Sequence, residues 1–173
     1  MSLIRSLIAG SVLLAGASGC AMEGGPGSAP APASAESIAY SVGPCFGFCQ
    51  VYVAQIAANG AVHFDGARHT AVLGPRDRQA ARSAFEAASA ALAAYRPAAG
   101  TTAQTQCDQS ISDQQHLTIT WTAADGTKTV LEHDKGCRSA RNEALNAVIG
   151  DLPATLGIAE WAKQQTRPGA SRG

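Results

Sequence analysis

The stretch VYVAQIAANGAVHFD, residues 51–65, constrains the fold more than any other part of the chain. Apolar and polar side chains alternate through it, the pattern of a strand with one buried face, and Asn59-Gly60 carries the chemistry of a hairpin turn. Only one register keeps the apolar face whole. A two-residue loop would set Phe64 opposite Gln55 and split the apolar set between both sides. A three-residue loop, with Gly60 in the left-handed conformation, pairs Ile56 with Val62 and Ala54 with Phe64. Tyr52, Ala54, Ile56, Val62 and Phe64 then share one face, while Gln55, His63 and Asp65 share the other. A slip of one residue would carry every side chain across, so burial selects the second register.

A second hairpin follows at HLTITWTAADGTKTVLEH, residues 116–133. Leu117, Ile119 and Trp121 point one way, Thr118, Thr120 and Thr122 the other, and Asp125-Gly126 makes the turn. The return strand is ambiguous, because Val130 and Leu131 lie on opposite faces. Each hairpin leads into a helical pattern. The first opens at Gly74-Pro75, proline suiting a first helical turn, and runs to Tyr95 before Pro97. Phe85, Ala88, Leu92 and Tyr95 form its apolar side, and Arg82 is placed to pair with Glu86. The second is capped by Ser139, presents Leu145, Val148, Ile149 and Leu152, and is expected to end between Gly150 and Pro153. A short helix over residues 158–164 would dock Trp161. Further strands over 38–42 and 68–73 would widen the sheet. The fold class is therefore α+β, an antiparallel sheet built from two hairpins, each followed by a helix packed on one face.

The N-terminal residues indicate export. Arg5 is followed by an apolar run through Leu7, Ile8, Val12, Leu13 and Leu14, the three-part form of a signal peptide over residues 1–19. That run is too short for the roughly 30 Å hydrocarbon core, which needs about 20 apolar residues. Ala17-Ser18-Gly19-Cys20 resembles a bacterial lipobox, which makes Cys20 the expected lipidation site; the alternative is an ordinary cleavage site beside a cysteine. Residues 20–36 continue with Ala, Pro, Gly and Ser, the composition of a flexible tether. One domain is expected over residues 37–165 and a disordered tail over 166–173. Ala21 after the cysteine points to the outer membrane, facing the periplasm, with the membrane itself a partner through the lipid.

The chain has 13 basic and 13 acidic residues. Without Arg5 that is 12 against 13, a net charge of −1, and no Lys/Arg stripe gives the electrostatic footprint of a nucleic-acid binder.

Besides Cys20, four cysteines fall in the expected domain, Cys45, Cys49, Cys107 and Cys137. An exported, even-numbered set is expected to be oxidised, and four cysteines allow three pairings. Gly43, Pro44 and Gly47 suit a tight loop closed by Cys45–Cys49. Cys107 enters the second hairpin and Cys137 leaves it, so these two should meet at its open end; the alternative is a cross-pairing between the halves. The Cys45–Cys49 loop, with Phe46, Gly47 and Phe48 inside it and Tyr52 and Asp108 counted with it, is also the candidate functional loop. It reads as a structural bridge, as a reducible thiol pair, or as two thiolates for copper(I). Thioredoxin-type pairs have two intervening residues and open a helix; this pair has three and precedes a strand. No histidine lies in the loop to complete a metal set. His63 reads as a solvent-facing strand residue, and His116 and His133 flank the second hairpin, where they would face each other too loosely to form a site.

At GPCFGFCQVY the chain resembles a bacterial family of exported proteins and lipoproteins known only as a domain of unknown function, with a C-F-G-x-C-P-x-Y motif opening a hairpin. Cys45, Phe46, Gly47, Cys49 and Tyr52 match, while Gln50 stands where proline is usual. Gly66, Cys107-Asp108 and Gly136-Cys137 are also similar, over roughly residues 38–152. The resemblance implies the α+β domain and the exported setting, and no activity. There is no nucleophile elbow, phosphate loop or zinc-protease helix. Asp108 and Asp113 sit in a polar loop. The expected function is a non-catalytic envelope lipoprotein that binds an envelope protein or a small ligand, without a cofactor; the alternative is a thiol-redox or copper protein working through Cys45 and Cys49.

Overall fold

The computed structural model describes residues 36–165. The leader, Cys20, the tether and the tail from 166 lie outside the described residues. The core element is a seven-stranded sheet. In chain order its strands are β1 (Ser37–Val42), β2 (Val51–Ala57), β3 (Ala61–Arg68), β4 (Gly74–Gln79), β5 (Thr102–Gln104), β7 (His116–Thr122) and β8 (Lys128–Asp134). They lie in the order β4-β3-β2-β1-β7-β8-β5. Two short strands, β6 (Gln109–Ser110) and β9 (Cys137–Arg138), pair separately. The helices are α1 (Arg82–Leu92), extended by a 3₁₀ turn Ala93–Tyr95, then α2 (Ala140–Thr155) and α3 (Ala159–Ala162).

The first hairpin takes the register that burial selects, with Ile56 opposite Val62, Ala54 opposite Phe64, and Gly60 at φ 86°. Alternation does the same in β7, whose Leu117, Ile119 and Trp121 are buried. In β8 the inward set is Thr129, Leu131 and His133, so two of its three core positions are polar. Strand β1 sits between the hairpins, pairing with β2 on one side and β7 on the other. It turns them into one continuous sheet. The inward face of that sheet packs on Phe85, Ala88 and Leu92 of α1 and Leu145, Ile149 and Leu152 of α2. A row of rings crosses this core: Tyr40 to Tyr52 at 5.8 Å, Tyr52 to Phe64 at 5.4 Å, Phe64 to Trp161 at 5.9 Å between centroids.

Several expectations are corrected. The fold is mixed α+β, but the sheet is not made of two hairpins alone, and it is only mostly antiparallel: β5 runs parallel to β8 at the edge. The first hairpin is followed by a strand, not a helix. Residues 74–79 pair with β3, Phe64 facing Arg76 and Asp65 facing Pro75. The reason is the outer edge of β3, whose backbone groups need partners; proline is tolerated in an edge strand. The helix starts only at Arg82, and Arg82 makes no ion pair with Glu86 among the described residues. Residues 69–73 are not a strand; Thr70 makes a single bridge to Gln164. Ser139 caps α2, its Oγ accepting from Asn142 N at 3.1 Å. The helix nevertheless runs past Pro153 to Thr155, because a proline so near the end removes little of the remaining hydrogen bonding.

Candidate functional site

The Cys45–Cys49 loop joins β1 to β2 at the end of the sheet. Cys45 and Cys49 are disulfide-bonded, with Cα atoms 5.7 Å apart. Inside the loop Gly47 has φ 149° and its N–H donates to Cys45 O at 3.0 Å. Neighbours fix the loop from outside. Phe46 N–H donates to Asp113 O at 3.2 Å, and Gly43 N–H donates to His116 O at 2.8 Å. The buried Gln115 donates through Nε2 to Gly43 O at 2.9 Å and to Gln50 O at 2.8 Å, clamping both stems of the loop. Gln50 meets this clamp with its backbone carbonyl, which a proline would offer equally.

What the loop exposes is apolar. Phe46 is 89% exposed and Phe48 41%. The Phe48 ring lies 4.8 Å from the His69 ring, and Gln164 Nε2 donates to Phe48 O. Ile111, 48% exposed, stands on the neighbouring loop that Phe46 bonds to. Tyr52, the last residue of the motif, points the other way into the core. Burial raises the Tyr40 hydroxyl well above the ordinary phenol range, and Tyr52 beside it adds to this; burial raises the Tyr52 hydroxyl as well. Both phenols therefore stay protonated. Behind the loop is a cavity of about 80 Å³ lined by Gln50, Tyr52, Gln115, Lys135 and Asn146 among others. That is far below the roughly 300 Å³ at which small-molecule pockets begin.

The other residues singled out in the sequence fall elsewhere. Cys107 and Cys137 are bonded, Cα atoms 4.8 Å apart, and staple the lead-in of the second hairpin to β9. Asp108 lies beside that bridge, on a different cavity from the one behind the Cys45–Cys49 loop. His63 is exposed and pairs with Asp77 at 2.7 Å. His116 and His133 do not face each other: His116 is opposite Asp134, and His133 is opposite Leu117 and points into the core.

His133 is the polar residue that sequence reasoning underrated. Its Nδ1 accepts from Thr105 Oγ1 and its Nε2 donates to Asn146 Oδ1, both at 2.9 Å. Burial lowers its pKa, partly opposed by the Asn146 hydrogen bond. The sequence carried no clear signal for it, because the facing of β8 is ambiguous where Val130 and Leu131 lie on opposite faces. Among the described residues no group of three or more His, Cys, Asp or Glu side chains could hold a metal ion, and no helix is long and apolar enough to cross a membrane.

No curated protein matches this sequence. A family match covers residues 36–154, from the start of β1 almost to the end of α2, and it takes in both disulfides and the exposed aromatic loop. The chain belongs to the family described as a domain of unknown function, DUF6438.

Proposed function

We propose that this protein is an envelope lipoprotein whose folded domain is a non-catalytic binding module, and that the Cys45–Cys49 loop is its contact surface. The observation that carries the reading is Phe46: a phenyl ring 89% exposed on a loop closed by a disulfide and clamped by Gln115. A large apolar side chain held in water on a pre-ordered loop is a feature of recognition surfaces, because little further ordering is needed on binding. The leader, the lipobox at Cys20 and the Ala/Pro/Gly/Ser tether support the envelope setting. Strand β1 supports the direction of presentation. The strand begins at Ser37 and the loop leaves after Val42, roughly 17 Å away at the rise of an extended strand. Phe46 thus lies beyond the end of β1 opposite its first residue.

The test has two arms in cells making the full chain. Cys20→Ala should move the protein from the membrane to the soluble fraction and abolish palmitate incorporation. A photo-crosslinking residue at position 46 should give one defined adduct that the same residue at Gln55, on the open sheet face, does not. Identical adducts at both positions would refute the loop as the contact surface. Membrane-bound Cys20→Ala protein together with unlabelled wild type would refute the anchor.

The competing reading, thiol or copper chemistry at Cys45 and Cys49, is favoured by one observation: both residues are only half-buried and within reach of a reductant. It requires a Cys45–Cys49 bridge that cycles under mild reductant while Cys107–Cys137 stays locked, read by a redox titration with non-reducing peptide mapping, or stoichiometric copper in the reduced domain, read by elemental analysis; uniform resistance of both bridges with no bound metal would eliminate it.

A further inference from the structure

A second concave site lies between the 3₁₀ turn, β5 and the start of α2, away from the Cys45–Cys49 loop. Its volume is about 430 Å³, within the range of roughly 300–1,000 Å³ typical of small-molecule sites. Two arginines, Arg96 and Arg141, line it, with Asp108 as its one carboxylate, so the lining carries a net positive charge. Neither guanidinium makes an ion pair among the described residues. Both are placed by aromatic rings instead. Arg141 lies 5.1 Å from the centroid of Tyr95 and donates to Ala94 O; Arg96 lies 5.8 Å from the centroid of Trp121. Stacking restricts side chains that are otherwise highly mobile, and it leaves N–H donors in a planar fork that fits a carboxylate or a phosphate. Tyr95 and Leu131 add apolar wall beside those donors.

The wall is also braced. Asn142, 2% exposed, donates through Nδ2 to Gln106 O at 2.8 Å and to Cys137 Sγ at 3.2 Å. The segment carrying Gln106 and Asp108 is thereby tied to α2 and to the Cys107–Cys137 bridge. We infer that this cavity binds a small organic anion, with a carboxylate or phosphate-ester head between Arg96 and Arg141 and an apolar body against Tyr95 and Leu131. The inference is independent of the Cys45–Cys49 reading: one can fail and the other stand.

Benzoate and phenyl phosphate are suitable probes, each an anionic head on an apolar ring. They are titrated into the purified, oxidised protein and followed by amide chemical shifts, with benzyl alcohol and inorganic phosphate as controls. One of the two aromatic anions should saturate a single site at or below roughly millimolar concentration, with shifts centred on Ala103, Leu131 and Asn142; which of them binds tighter identifies the head group. Benzyl alcohol and inorganic phosphate should each bind at least tenfold more weakly. Arg141→Gln and Arg96→Gln should each weaken binding about tenfold or more, with otherwise unchanged spectra reporting an intact fold, while Arg76→Gln on β4 should have no effect. The inference is overturned if neither aromatic anion saturates, if both glutamine variants bind like the wild type, or if inorganic phosphate binds as tightly as phenyl phosphate, which would mark an adventitious ion site only.

Discussion

His133, near the end of β8, and Asn146 of α2 are joined ring to amide, Nε2 to Oδ1 at 2.9 Å, tying the sheet to the helix. Asn146 Oδ1 accepts the Nε2 proton and Thr105 Oγ1 lies 2.9 Å from the other ring nitrogen, where its hydroxyl donates to the neutral ring. Protonation would force Nδ1 to donate where it now accepts, inside a site that is 2% exposed.

A pH dependence follows. Burial lowers the His133 pKa in the folded state below the ordinary histidine value of about 6.5. Between that lowered value and about 6.5 the unfolded chain binds more protons, so stability falls as pH falls through this window and levels off below it. Above about pH 6.5 the full contribution is present. Urea unfolding of wild type and His133→Gln from pH 7.5 to 4.5 measures it. The difference between the two proteins should shrink as pH drops; a difference independent of pH would mean that His133 titrates alike in both states.

The two disulfides should differ in what they contribute. Chain entropy makes a bridge that closes a longer loop more stabilising, and the sequence separations here are 30 and 4. The same relation gives about 3–4 kcal/mol for Cys107–Cys137 and about 2 kcal/mol for Cys45–Cys49. The double variants Cys107→Ala/Cys137→Ala and Cys45→Ala/Cys49→Ala, compared by urea midpoint, should rank in that order. The reverse order would show that the Cys45–Cys49 loop organises more of the domain than its own stems.

What could be read in advance tracks where side-chain burial decides the structure. The register of β2 and β3 was legible because one slip would expose Ile56, Val62 and Phe64 together. Strand β4 was not, because none of its side chains is buried; backbone pairing with β3 places GPRDRQ, and Gly-Pro is equally a helix opening. The facing of β8 stayed ambiguous because Thr129 and His133 turn inward, and His133 is accepted there by Thr105 and Asn146, partners distant in sequence. The exposed loop could be singled out by its cysteines and phenylalanines. The cavity at Arg96 and Arg141 could not, since residues from the 3₁₀ turn, β5 and α2 meet there only after folding.

Phe46 and Phe64 make a matched pair for separating binding from stability. Phe64 is fully buried between Tyr52 and Trp161, and its truncation to alanine should cost about 3–5 kcal/mol. Phe46→Ala removes a ring that is almost entirely in solvent, and should shift stability by no more than about 0.5 kcal/mol. Thermal or urea unfolding reads both. A loss of 2 kcal/mol or more at Phe46 would make the ring a structural part of the domain and remove the main argument for a contact surface.

Gly136 sets the closest approach between the second hairpin and the loop before it. A Cβ added there would collide with the carbonyl oxygen of Ile111, a backbone atom with no flexible end to move aside. That carbonyl cannot retreat easily, because Ile111 N–H donates to Gly136 O at 2.9 Å and locks the two backbones together. Beside them β6 pairs with β9, Ser110 opposite Cys137, so the displacement would be felt at the Cys107–Cys137 bridge. Overpacking of this kind costs about 1–3 kcal/mol. Gly136→Ala should therefore destabilise the domain by that amount, whereas Gly150→Ala on α2, where an added Cβ meets nothing, should be neutral or stabilising by up to about 1 kcal/mol through its gain in helix propensity. Urea midpoints of the two variants, measured side by side, test the contrast; equal stability would mean that the Ile111 segment moves freely and that the close approach is not a constraint on the fold.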